Sequence, residues 1–156
     1  MEGSVTDLSD IALGMNLKAS GDKNIFLLGT LLGMTRIALT TGLGENIDFS
    51  GLGDLIDLPM CTHSTGMQVR LSFAIATVYV PDLLVMDEWL AVGDETFRSR
   101  AEERLSALVE ETKILVLASH SRSLLEKVCT RGIIMSHGQI IGDGPIREIT
   151  AQYFSS

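Results

Sequence analysis

Asp82-Leu83-Leu84-Val85-Met86, followed at once by Asp87-Glu88, is the stretch on which the fold turns. A short apolar run of this kind, hydrophobic on both faces, reads as a buried parallel strand. Two carboxylates then stand where the strand ends. In an open parallel sheet, ligands bind beyond the carboxyl ends of the strands, so Asp87 and Glu88 are placed at the edge where chemistry occurs.

Working outward, apolar positions Phe97, Ala101, Leu105 and Leu108 recur at helical spacing and predict a helix from about Glu95 to Glu111. Ile114-Leu115-Val116-Leu117-Ala118 reads as the next buried strand, and a helix over about 121–128 follows, with Ser121 as cap. Gly132–Met135 and Gln139–Gly142 read as a hairpin turned at Ser136-His137-Gly138. A short helix begins near Ile146. Strand, helix and strand in this order imply a parallel sheet with right-handed crossovers. The crossover should bring His120, just past the second strand, to the edge that holds Asp87 and Glu88. Each residue alone is ordinary, because such groups often cap helices or line turns. Their joint placement is what points to a site.

Before Pro81 the texture differs. Glycine is frequent, and apolar residues mostly keep helical spacing: Ile25, Leu28, Leu31 and Leu32, then Leu52, Leu55 and Ile56. Ser64-Thr65-Gly66-Met67 leads into an apolar helix through Phe73, Ala74 and Ala76. A Ser and a Gly at a helix start expose backbone N–H groups at the positive end of the dipole, which suits a phosphate. An ordinary Ser64 cap would look the same.

Composition bounds the partners. The 156 residues carry a net charge of −8 and are 46% hydrophobic, which fits one folded domain. An acidic surface disfavours phosphate backbones, so no nucleic-acid partner is expected. The longest apolar stretch, Ile25 to Met34, is broken by Gly29, Thr30 and Gly33 and is too short to span a bilayer. No secretory leader is visible at the N-terminus. Cys61 and Cys129 have no metal spacing and read as free thiols in a reducing compartment.

The order of His-Ser-Thr-Gly-Met at 63–67, Leu-Val-Met-Asp-Glu at 84–88, Ala-Val-Gly-Asp at 91–94 and Leu-Ala-Ser-His at 117–120 resembles the ABC ATPase family. It is closest to the subgroup that energises export of O-antigen and teichoic-acid type polysaccharides. Ser20-Gly21-Asp22-Lys23-Asn24-Ile25 with Leu32-Gly33 is similar to that group's helical region. The resemblance implies an α/β, P-loop NTPase-like fold without its N-terminal P-loop strands and with an inserted helical signature subdomain. It divides the chain into a residual core strand (1–16), the helical subdomain (17–81) and the core from Asp-Glu to the switch histidine (82–156).

The resemblance also implies roles. Asp87 would hold Mg²⁺ through water, Glu88 would polarise the attacking water, and His120 would contact the γ-phosphate of ATP. Ser64 and Gly66 would reach the γ-phosphate bound by the opposite subunit of a homodimer, and Asp94 would cross that interface. A transmembrane permease subunit is the implied partner, at the cytoplasmic face of the plasma membrane.

The pattern is departed from in places. The sequence contains no Gly-x-x-x-x-Gly-Lys-Ser/Thr loop, the cradle for the β- and γ-phosphates. His63, Thr65 and Met67 replace commoner signature residues, Trp89 stands where many relatives have Pro, and Lys23 where the subgroup often has an acid. The expectation is a chain that neither binds ATP tightly nor hydrolyses it alone, with an exposed sheet edge. Two other readings remain open. One is a non-catalytic fragment that docks on a transporter or an intact ATPase subunit through the region before Pro81. The other is an ATPase of the DNA-repair type, which the acidic balance and the absence of a sustained heptad disfavour.

Overall fold

A computed structural model describes residues 4–8, 14–88 and 95–155. Trp89 and the Ala-Val-Gly-Asp run at 91–94 lie outside the described residues. Three parallel strands form the sheet in the order β1 (Val5–Asp7), β2 (Leu83–Asp87) and β3 (Ile114–Ala118). The central strand β2 pairs Leu83 to Asp87 with Ile114 to Ala118 on one side and Val5 to Asp7 with Leu83 to Val85 on the other.

Between β1 and β2 the chain makes a helical layer. Helices α1 (Gly21–Leu31), α2 (Arg36–Ser50) and α3 (Thr65–Ala76) are joined through two short 3₁₀ turns, Gly53–Asp57 and Met60–Thr62. The residues Leu55 and Ile56, helically spaced in sequence, lie in the first of these turns. Helix α2 has no clear sequence signal: Thr40, Thr41, Gly42 and Gly44 are poor helix formers. It forms because both ends are capped and one face is buried. Thr35 Oγ1 accepts from the Ala38 N–H at 3.3 Å, and Gly51 closes the C-terminus at φ 67°. Leu39 packs so closely on α1 that a Cβ on Gly29 would lie 2.1 Å from its Cδ2.

Helix α3 carries two cores on its faces. Leu71 and Ile75 join Ile25, Leu28, Leu39 and Met60 in the helical layer, while Phe73 and Ala76 join Leu84, Met86, Phe97 and Leu105 against the sheet. Burial of each such side chain stabilises by about 1.5–3 kcal/mol before entropic losses. A polar pin closes the layer. Buried Asn24 accepts from Asn16 N–H at 2.7 Å and donates to the carbonyls of Asn16 and Ser20 at 2.9 Å.

Beyond β2, helix α4 (Glu95–Glu111) buries the expected face, Phe97, Ala101, Leu105 and Leu108. Helix α5 (Arg122–Val128) follows β3; Ser121 occupies the cap position but makes no side-chain cap bond. Strands β4 (Arg131–Ser136) and β5 (Gln139–Pro145) form an antiparallel hairpin turned at His137-Gly138, both with positive φ as a two-residue turn of this hand requires. Helix α6 (Ile146–Phe154) lies on the hairpin, where Gly132 admits it: a Cβ there would meet Ile149 Cγ2 at 2.8 Å.

One expectation is corrected. Strand β3 is not buried. None of its five residues falls in the buried class, and Ile114 is 58% and Val116 52% exposed. Among the described residues, β3 has a neighbouring strand only on its β2 side, so the outer edge of the sheet is open.

Candidate functional site

Glu88 is the pivot of the carboxyl edge. The chain leaves β2 with Glu88 at φ 62°, a left-handed conformation that costs a non-glycine residue about 1–2 kcal/mol. Three hydrogen bonds to the end of β3 hold it there. Its N–H donates to the Ala118 carbonyl at 2.8 Å, one carboxylate oxygen accepts from Ser119 Oγ at 3.0 Å, and the other accepts from the His120 N–H at 3.0 Å. Backbone strain of this kind persists only where the surroundings over-determine it, and it concentrates at functional sites.

Asp87 is the last residue of β2 and is exposed beside Glu88. The ring of His120 is fixed separately: Tyr153 Oη, from α6, lies 3.1 Å from Nδ1. Asp87, Glu88, His120 and Tyr153 all line one cavity of about 750 Å³ between β3 on one side and the hairpin and α6 on the other. Its walls are mostly apolar, from residues such as Val116, Ile133 and Ile149. An exposed carboxylate such as Asp87 is the kind of ligand Mg²⁺ takes when waters and phosphate oxygens complete its shell, whereas both Glu88 oxygens are already engaged by Ser119 and His120.

Ser64 and Gly66 do not line this cavity. They sit at the start of α3, where Ser64 caps the helix by accepting from the Met67 N–H at 3.3 Å. The loop before them is built to hold them. His63 is buried, with Nε2 3.0 Å from the Leu55 carbonyl and Nδ1 3.2 Å from that of Pro59. Gln68 Nε2 donates to the Met60 carbonyl at 3.0 Å. Gly66 itself is exposed, and a Cβ there would meet only Ser64 Oγ, at 3.9 Å. Packing within the chain therefore does not demand glycine; open backbone N–H groups at a helix start are what it leaves available. Asp94 lies outside the described residues.

Sequence reasoning did not single out Ser119 or Tyr153. Ser119 stands inside the quoted Leu-Ala-Ser-His run, next to the histidine. Tyr153 is 33 residues from its partner, with no local pattern to connect them.

No family model matches the chain. Curated relatives do. The chain is 37% identical over 153 residues to the O-antigen export system ATP-binding protein RfbB of Myxococcus xanthus, covering 98% of this chain and 35% of that protein. It is 39% identical over 139 residues to the O-antigen export protein RfbE of Yersinia enterocolitica, covering 89% and 58%. The teichoic acids export ATP-binding protein TagH of Bacillus anthracis is 36% identical over 143 residues, covering 92% and 26%. The homologues of this chain are thus ABC ATP-binding proteins of O-antigen and teichoic acid export. The chain thus spans about a third of the first relative and under three fifths of the second.

Solved ABC ATPase domains share the fold. An ATP-binding subunit of an ABC transporter superposes with a TM-score of 0.74 at 17% identity, covering 97% of this chain and 62% of that one. The cbiO1 subunit from Clostridium perfringens gives 0.60 at 20% identity, covering 96% and 60%. The parallel sheet with its helical layer is therefore an ABC ATPase fold. No described helix is long and apolar enough to cross a membrane.

Proposed function

We propose that this chain is the signature-to-switch portion of the ATP-binding subunit of an ABC exporter, acting on polysaccharide of the O-antigen or teichoic acid type. The observation that carries the proposal is the clamp by which Glu88 holds the end of β3, so that Asp87, Glu88 and His120 share one edge. Phosphoryl transfer needs positioning, charge neutralisation and an oriented water more than covalent chemistry. Asp87 would hold Mg²⁺ through water, Glu88 would orient the attacking water, and His120 would meet the γ-phosphate. Ser64 and Gly66 would present the start of α3 to a nucleotide held on a second copy, with Asp94 crossing between the two. Such a shared nucleotide would draw two copies together and let hydrolysis part them, which drives a permease docked at the membrane's cytoplasmic face. The division into a helical subdomain before Pro81 and a core after it belongs to this reading.

An NMR titration of the chain with MgATP tests it. The expected result is weak binding with shifts clustered at Asp87, Glu88, Ser119 and His120, lost in Asp87→Asn. Turnover should stay at background, because the sequence holds no glycine-rich lysine loop to grip the phosphates. Shifts clustered elsewhere, or none, would overturn the proposal. The docking reading is favoured by a different observation: Leu31 and Ile37 are exposed at the meeting of α1 and α2. If Ile37→Asp abolishes capture by an intact ATPase subunit while no nucleotide shifts occur, docking alone is the function.

A further inference from the structure

His120 is held from two directions. Glu88 fixes its backbone, and a separate unit made of α5, the hairpin and α6 fixes its ring. That unit is well anchored. Ile146, Ile149 and Thr150 of α6 are buried, Gly132 admits the helix closely, and Thr150 Oγ1 donates to Glu126 Oε1 at 2.7 Å. Glu126 also accepts from Arg122 Nε at 2.7 Å, on the helix that begins two residues after His120. One helical turn past Thr150, Tyr153 reaches the imidazole with its hydroxyl 3.1 Å from Nδ1, the two rings 6.3 Å apart and tilted by 31°.

We infer that Tyr153 is a positioning residue for His120, selecting which ring nitrogen carries the proton. A phenol is a good donor and a neutral imidazole nitrogen a good acceptor, so the contact runs from Tyr153 O–H to the Nδ1 lone pair. The neutral ring then bears its proton on Nε2, leaving that N–H as the donor turned to other partners. This rests on the reading of His120 as a γ-phosphate contact, for which an N–H rather than a lone pair must face the anion. The second anchor also explains why a residue near the end of the chain lines the same cavity as Asp87 and Glu88.

Long-range proton–nitrogen NMR of the histidine rings tests this on the chain as it is. At about pH 8, above the ordinary histidine range, His120 should be almost wholly the Nε2–H tautomer. In Tyr153→Phe the Nδ1–H population should rise about fivefold, the weight of one net hydrogen bond. The Thr150 amide shift should stay in place, showing that α6 is still docked. A mixed tautomer in the wild-type chain overturns the inference by itself, whatever the variant does, and so does an unchanged tautomer in a docked variant. Neither readout involves nucleotide. A chain that fails to bind ATP would sink the reading of His120 while leaving Tyr153 as the residue that sets its ring.

Discussion

Strands β2 and β3 lie side by side, five residues each, with sequences Leu-Leu-Val-Met-Asp and Ile-Leu-Val-Leu-Ala. Over their first four positions both are wholly apolar. In the structure Leu84 and Met86 of β2 are 0% and 2% exposed, whereas β3 has no buried residue at all. The difference comes from the neighbours. Strand β2 is flanked by β1 and β3 and packs against Phe73, Phe97 and Leu105 from α3 and α4. On the far side of β3 there is the 750 Å³ cavity, with the hairpin and α6 as its opposite wall. Burial of a strand is a property of what covers it, and an apolar run records only that covering is wanted.

The sharpest way to break the comparison is to truncate one side chain in each strand. Leu84→Ala should cost about 3 kcal/mol, since a fully enclosed leucine leaves both a transfer loss and a cavity. Val116→Ala should cost under about 1 kcal/mol, because half of that side chain already meets water. Chemical denaturation with unchanged slope measures both. Equal losses would mean that β3 is covered in solution.

That contrast also marks how far the fold was legible in the sequence. The bounds of α4 and β3 followed from period and length, and the hairpin from His137-Gly138, because these signals are local. Helix α2 was illegible, its threonines and glycines outweighed by a Thr35 cap, a Gly51 stop and the contact of Leu39 with α1. The exposure of β3 could not be read from its own residues, since it depends on a neighbour that the described chain does not supply. At the site, Asp87, Glu88 and His120 were legible because strand order alone carries them to one edge. The Tyr153 contact was not, because it depends on how α6 docks, a long-range packing outcome.

A smaller effect probes the opposite wall of the cavity. Gly132→Ala would place a methyl 2.8 Å from Ile149 Cγ2 and 3.0 Å from Ile146 Cδ1. Either the isoleucines repack or α6 lifts, and overpacking of this degree costs about 1–2 kcal/mol. If α6 lifts, the His120 ring resonances should move with it, since Tyr153 rides on that helix. Unchanged stability together with unmoved His120 signals would show that this wall is as loose as β3's outer face.

The smallest effect tests how β2 holds its two neighbours at the end away from Glu88. Asp82 ties three strands there: Oδ2 accepts from the Ser4 N–H at 2.9 Å before β1, and Oδ1 meets Lys113 Nζ at 2.5 Å before β3. The Lys113 hydrogen bond, and then the Ser4 N–H, hold the Asp82 carboxyl below its usual range, and Asp82 in turn raises Lys113. The signs follow from linkage. A carboxyl lowered in the folded state contributes stability that is complete above its unfolded pKa of about 3.9 and is lost as pH falls through the lower folded value. The lysine's share is lost only at the alkaline end, above about pH 10.4. Both groups are solvent-accessible, so screening keeps the effect small. Amide protection of Val5 to Asp7, corrected for intrinsic exchange, should therefore fall as pH drops below about 4 while that of Leu84 and Met86 holds. Asp82→Asn should show the lowered protection of β1 already at neutral pH, with no further loss in acid. Loss of β1 and β2 protection together would mean that the two strands open as one unit, and that the flanking strand is no weaker than the central one.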